Sequence, residues 1–163
     1  MVARFQSSPK QSHLAVVKRI LRYLKGTIDF GLWYPKSSTL IVTAYFDADW
    51  AGSVDDRKST SGNAFFMGDC LVSWLSKMQS SISLSIVEAE YIAAADCCTQ
   101  ILWMKEALKD VNIETKKPIT IFYENTSAMS ISNNFVMHSK TKHIPIKYQF
   151  LREQVAKQNI KLE

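Results

Sequence analysis

Two carboxylates one residue apart, Asp47 and Asp49, close an apolar run, Leu40-Ile41-Val42-Thr43-Ala44-Tyr45-Phe46. A second apolar stretch, Ile119-Thr120-Ile121-Phe122-Tyr123, ends the same way, in Glu124 followed by Asn125. Between them Glu88 and Glu90 open an alanine-rich segment. Carboxylates brought to one place repel unless a cation neutralises them, and Mg²⁺ suits such a set because it takes hard oxygen ligands and keeps several waters. Two such ions about 3.5 to 4 Å apart clamp the attacking water and the leaving oxygen of a phosphodiester. The competing reading is that Glu88 and Glu90 only cap a helix start, where the helix dipole favours acids.

Convergence of these acids requires particular elements. A strand rich in Val, Ile, Tyr and Phe can be buried on both faces and still present an acid at its C-terminal end. In a mixed α/β sheet, strand ends and a helix N-terminus meet along one edge, the usual place for sites in such folds. Residues 63–67 and 71–75 read as two further strands joined by Gly68-Asp69-Cys70, a short hairpin signal. Residues 52–62 read as an exposed, mobile, turn-rich loop. Ser85-Ile86-Val87-Glu88 is a capping box ahead of a helix reaching about Val111, with Tyr91, Ala94, Cys98, Ile101, Leu102, Ala107 and Leu108 as its apolar stripe.

Pro118 opens the strand that ends at Glu124; a short helix is expected over 126–134, a basic loop over 137–145, and a helix over 146–156. Residues 159–163 read as a strand that has only begun. At the other end a basic amphipathic helix is expected from Ser8-Pro9 to Gly26, with Leu14, Val17, Leu21 and Leu24 on one stripe and Lys10, Lys18, Arg22 and Lys25 largely off it. Its basic face reads either as solvated or as a phosphate contact. The polar turn at Lys36-Ser37-Ser38 is the expected boundary, giving domains 1–38 and 39–163.

Composition narrows the class. At 163 residues, 47% hydrophobic and 21% charged, the balance is that of a folded domain with a sizeable core. No apolar run approaches the roughly 20 residues of a membrane helix, and the N-terminus lacks the apolar region of a secretory signal, so a soluble intracellular chain is expected. Cys70, Cys97 and Cys98 form neither a disulfide framework nor zinc-finger spacing, and read as small buried hydrophobes. A net charge of +5 and a pI near 9.1 permit an anionic polymer as partner.

Six stretches, in order, carry a resemblance. Pro9-Lys10-Gln11-Ser12-His13-Leu14, Lys18-Arg19-Ile20-Leu21-Arg22-Tyr23-Leu24-Lys25-Gly26-Thr27, Asp47-Ala48-Asp49-Trp50-Ala51-Gly52, Asp56-Arg57-Lys58-Ser59-Thr60-Ser61-Gly62, Glu88-Ala89-Glu90-Tyr91 and His138-Ser139-Lys140-Thr141-Lys142-His143-Ile144 resemble the C-terminal part of a plant copia-type LTR retrotransposon Pol polyprotein. The resemblance implies an α/β, ribonuclease H-like mixed sheet, three antiparallel strands followed by parallel strands with flanking helices, preceded by the tail of the reverse transcriptase region. It also implies that the last strand and a final helix are truncated. The implied activity is hydrolysis of the RNA strand of RNA–DNA hybrids during reverse transcription, with Mg²⁺ or Mn²⁺ in a two-metal site. The implied partners are the hybrid and the reverse transcriptase domain of the same polyprotein, with no membrane. The implied location is the cytoplasm, in a virus-like particle, with the nucleus as alternative.

Carried over by position, Asp47, Glu90 and Glu124 resemble the family's first three metal-binding, catalytic carboxylates, and Asp49 and Glu88 are accessory. Lys58, Lys77, Lys140, Lys142, His143 and Arg152 become candidates for the hybrid's phosphates, and Gln79, Asn125 and Ser127 for sugar or backbone contacts. Three departures stand out: Tyr123-Glu124-Asn125 replaces the family's usual Cys-Asp-Asn, Met78 stands where lysine is common, and Phe135 where proline is common. No fourth carboxylate is evident before Glu163, and the family's own is expected farther on. These departures imply an impaired copy. The alternative is a catalytically inactive nucleic-acid-binding or connector module.

Overall fold

The computed structural model describes residues 5–36, 40–115, 118–123 and 145–163. The chain divides into two compact units, Met1–Trp33 and Tyr34–Glu163. In the first, helix α1 (Gln11–Gly26) begins later than Ser8-Pro9 suggests: Lys10 is its N-cap, and the Lys10 backbone N–H donates to His13 Nδ1 at 3.0 Å. The His13 ring is held in that pose by stacking on Phe5, with centroids 4.1 Å apart. None of the α1 residues is buried, and Leu14, Ile20, Leu21 and Leu24 remain exposed.

The second unit starts from β1 (Val42–Asp49), whose residues alternate buried and less buried along its length. As expected, β1 carries the acids at its C-terminal end and runs through both of them. The reason lies across the ladder: β2 (Thr60–Met67) begins early enough that Gly62, Ser61 and Thr60 pair with Asp47, Ala48 and Asp49. A tight turn at Gly68-Asp69, with Gly68 at φ 60°, leads into β3 (Cys70–Met78). Glycine accepts that left-handed conformation without the steric cost a Cβ brings. Phe65 pairs with Ser73 but Phe66 with Leu71, so Val72 is the extra residue of a β-bulge.

Helix α2 (Ile86–Asp110) follows, then β4 (Ile119–Phe122), α3 (Pro145–Ala156) and β5 (Ile160–Leu162). Among the described residues the sheet has five strands in the order β3-β2-β1-β4-β5, the first two pairings antiparallel and the last two parallel. This is the mixed sheet with flanking helices that the resemblance implies. The expected helix at 126–134 and basic loop at 137–145 lie outside the described residues, apart from the backbone of Pro145 in α3.

One face of β1, formed by Val42, Ala44, Phe46 and Ala48, joins the core together with Phe65, Ile121, Ile160, Leu151 and the buried side of α2. Ala89, Ala93, Ala94 and Cys97 of α2 are at most 2% exposed, which lets the helix backbone lie close to the sheet. Burying a side chain the size of Ile101 or Phe65 stabilises by about 1.5 to 3 kcal/mol. Cys97 and Cys98 are both fully buried and form no disulfide; burial pushes their thiols up, that of Cys98 to about 12. On the opposite face Tyr45 stacks on Phe122 at 5.1 Å and meets Phe66 edge-on at 5.5 Å. No helix among the described residues is long and apolar enough to cross a membrane.

Candidate active site

The last residues of β1 and the first turns of α2 are tied together by a set of buried polar side chains. Ser59, Ser61, Gln79, Ser83, Glu88 and Glu90 are each at most 6% exposed. Gln79 is the hub. Its Nε2 donates to Ser61 Oγ at 2.9 Å and to the Ala89 carbonyl at 2.8 Å, and its Oε1 accepts from Ser83 Oγ at 2.9 Å. Its backbone N–H donates to the Ser59 carbonyl at 2.8 Å. Each such bond contributes about 1 kcal/mol net, whereas stranding one of the buried partners costs about 1 to 3 kcal/mol.

Two neighbouring motifs lock the rest of the frame. Trp50 Nε1 donates to the Ser83 carbonyl at 3.1 Å, fastening the segment after β1 to the one before α2. The loop of residues 50–59 is closed on itself, with Ser53 N–H to Lys58 O at 3.1 Å, Arg57 N–H to Ser53 O at 2.9 Å and Ala51 N–H to Ser59 Oγ at 3.1 Å. The fully open loop expected over 52–62 is therefore corrected: its distal part is strand, with Ser59 and Ser61 buried. At the start of α2, Ser85 Oγ accepts the Glu88 N–H at 3.2 Å and Glu88 Oε2 accepts the Leu84 N–H at 2.6 Å. Glu88 thus spends its carboxylate on capping, one residue upstream of the usual reciprocal bond.

Asp47 is exposed on the face of β1 shared with Tyr45. It lines a cleft of about 530 Å³ with Tyr45, Trp74, Phe122, Tyr123 and Glu163. Glu163 was not singled out from the sequence; it reaches the cleft because its backbone extends the β5 ladder, with its N–H on the Ile121 carbonyl at 3.0 Å and its carbonyl accepting from Tyr123 at 3.1 Å. Glu90, by contrast, is buried in the first turns of α2. The link between them runs through neighbours: Ala89 to Gln79, Gln79 to Ser61, and Ser61 paired with Ala48. Both acids therefore belong to the same end of the sheet, Asp47 on the face opposite the one that α2 covers. Glu124 lies outside the described residues, and among the described residues no three His, Cys, Asp or Glu side chains form a metal-holding group.

The remaining candidates divide by exposure. Lys77 is exposed on β3, and Lys58 is half-buried with its backbone N–H capped by Asp56 Oδ1 at 3.3 Å. Gln79 is buried, and both ends of its amide are bonded internally, so it braces β2 against the start of α2. Arg152 turns toward the α2–α3 contact, where it hydrogen-bonds Tyr91; burial raises the Tyr91 hydroxyl pKa and the guanidinium partly offsets that. Asn125, Ser127, Lys140, Lys142 and His143 lie outside the described residues. The buried serines escaped notice because Ser59, Ser61 and Ser83 look like loop composition; the one available signal was their recurrence on both sides of two strands.

No protein-family profile matches the chain. Over 154 residues it is 40% identical to the retrovirus-related Pol polyprotein from transposon RE1 of Arabidopsis thaliana, covering 94% of this chain and 10% of that protein. Over 162 residues it is 38% identical to the corresponding polyprotein from transposon TNT 1-94 of Nicotiana tabacum, covering 99% of this chain and 12% of that one. The chain thus spans about a tenth of the length of these two polyproteins. Among solved structures, LC11-RNase H1 isolated from compost superposes with a TM-score of 0.54 at 13% identity, covering 77% of this chain and 84% of that one. At that identity the likeness is one of fold.

Proposed function

We propose that the chain, homologous over most of its length to a segment of retrovirus-related Pol polyproteins and folded like ribonuclease H, hydrolyses the RNA strand of RNA–DNA hybrids in a copia-type element. The observation that supports this most is the bracing of the Glu90 turn against the end of the β1–β2 ladder that carries Asp47.

The donor set fits a hard divalent cation in kind: Asp47 and Glu90 offer carboxylate oxygen, and no soft ligand stands among the candidates. Asp47, Glu90 and Glu124 would hold Mg²⁺ or Mn²⁺, which when bound supplies charge neutralisation at the phosphate and acidifies the attacking water. The chain's own residues do the rest. Lys77, and Lys58 beside it in the reading, attract the phosphates without reading base sequence. Gln79 and Ser61 keep the α2 turn in place while the substrate binds. Glu124 adds one methylene where the family usually has aspartate, moving its carboxylate by roughly 1.5 Å, the length of one C–C bond. Because Mg²⁺ requires near-ideal octahedral geometry, this copy is slow rather than fully active in our reading. The partner in the cell is the reverse transcriptase domain of the same polyprotein.

The test is cleavage of an end-labelled RNA–DNA hybrid by the purified chain over a titration of Mg²⁺ and Mn²⁺. Cation-dependent cutting of the RNA strand alone supports the proposal. Hybrid binding with no cleavage at any cation concentration overturns the catalytic reading in favour of a connector module.

A further inference from the structure

A buried side-chain amide with all its bonds directed at three separate segments is a construction whose purpose is placement. Gln79 joins Ser61 of β2, the Ala89 carbonyl of α2 and the Ser83 hydroxyl of the intervening segment, and the Ser83 carbonyl in turn accepts from Trp50 just beyond β1. Ala89 immediately precedes Glu90, and Ser61 is the ladder partner of Ala48, immediately after Asp47. The geometry points to Gln79 as a positioning residue that sets Glu90 relative to Asp47, with Ser83 and Trp50 as its supports; this rests on the hydrolytic reading above for its consequence, though not for its structure.

Two features separate this from ordinary core packing. A leucine would fill the same space, yet would leave Ser61 Oγ and Ser83 Oγ without the partners they now have. The bond to Ala89 is also made to a carbonyl inside the first turns of α2, so it acts on that turn and not on the helix as a whole. The second half of α2 is held instead by apolar contacts such as Ile101 and Met104. The two halves of the helix therefore respond differently to loss of Gln79.

Hydrogen exchange on the full chain reads this without reference to catalysis. Gln79→Leu is expected to speed exchange at the amides of residues 89–93 about tenfold more than at 97–104, the scale set by stranding buried polar groups. Ser83→Ala is expected to reproduce the pattern more weakly, and Ile101→Val, a loss of one methylene from the core, to reverse it. The same proteins are then titrated with Mg²⁺ by calorimetry, where Gln79→Leu is expected to weaken binding about tenfold and Ile101→Val to leave it unchanged, in line with the cost of removing a supporting residue. An equal change in both halves of α2 with Gln79→Leu would falsify the positioning role. Absence of Mg²⁺ binding by the unmodified chain would instead remove the hydrolytic reading, with the exchange result still deciding what Gln79 does.

Discussion

The Asp49 carboxylate lies directly over Gly52, so that a Cβ built at Gly52 would stand 1.9 Å from Asp49 Oδ2 and 2.5 Å from its Cγ. The second acid of the Asp-Ala-Asp motif is thereby committed to the turn after β1. Gly52→Ala must displace it, and because the exposed Asp49 side chain can swing aside a cost of about 0.5 kcal/mol is expected. In an Asp49→Ala background the same change should cost much less. Urea unfolding of the four proteins gives the coupling directly, and additive values would show that Asp49 does not occupy that space.

Asp47→Asn and Glu90→Gln are each expected to lower hybrid cleavage by about 100-fold or more, beyond what loss of a supporting residue around a metal usually costs. Asp47 is exposed, so its thermal midpoint should stay within a few degrees of the parent. Rate and melting curve together check this: lost activity with lost fold would not support a ligand role.

Glu124→Asp should raise the cleavage rate, by about tenfold on the reasoning that octahedral Mg²⁺ tolerates little displacement of a ligand. The control is Asp49→Glu, which changes length at a carboxylate assigned to the turn. A rate unchanged by Glu124→Asp would mean that the extra methylene is not what limits this copy.

Lys77 and Gln79 are close in sequence but differ in burial, and salt dependence should separate them. Lys77→Ala is expected to reduce the slope of log K for hybrid binding against log salt by about 1, as for loss of one phosphate contact. Gln79→Leu should leave that slope unchanged. Fluorescence anisotropy between low and moderate salt measures both.

The buried thiols give a pH prediction. Cys97 and Cys98 have folded pKa values raised by burial above the ordinary 9.0, that of Cys98 to about 12. Stability from keeping them neutral is fully present below pH 9 and is lost as pH rises from there through the folded values. At pH 8 a thiol reagent should therefore label the partly exposed Cys70 first, with Cys97 and Cys98 reacting only on unfolding. Equal labelling of all three in the native protein would contradict that burial.

Much of the frame was readable from residue patterns. The Ser85–Glu88 spacing and the apolar stripe placed a helix over 85–111, and α2 occupies Ile86–Asp110. Glycine at 68 marked the hairpin. What escaped was whatever depended on a partner distant in sequence: β2 starts at Thr60, ahead of residue 63, because Asp49, Ala48 and Asp47 lie opposite, and none of Thr60, Ser61 and Gly62 has an apolar side chain to announce a strand. The burial of Gln79 is hidden for the same reason, since a polar residue after a strand looks solvated until Ala89 and Ser83 close over it. Helix α1 begins later than Ser8-Pro9 suggests, with Lys10 as its N-cap, whose backbone N–H is accepted by the His13 ring.

The sheet order β3-β2-β1-β4-β5 has a consequence for assembly. Residues 42–110 hold the antiparallel meander and the helix that packs on it, an arrangement of near neighbours in sequence. The parallel pairings of β4 with β1 and of β5 with β4 close much longer loops, and contacts of that kind form slowly. Emerging from the ribosome, the chain should gain the β1–β3 sheet and α2 first, leaving the β4 side of β1 open until β4 arrives. Until then that edge is a site where a second nascent chain could add a strand.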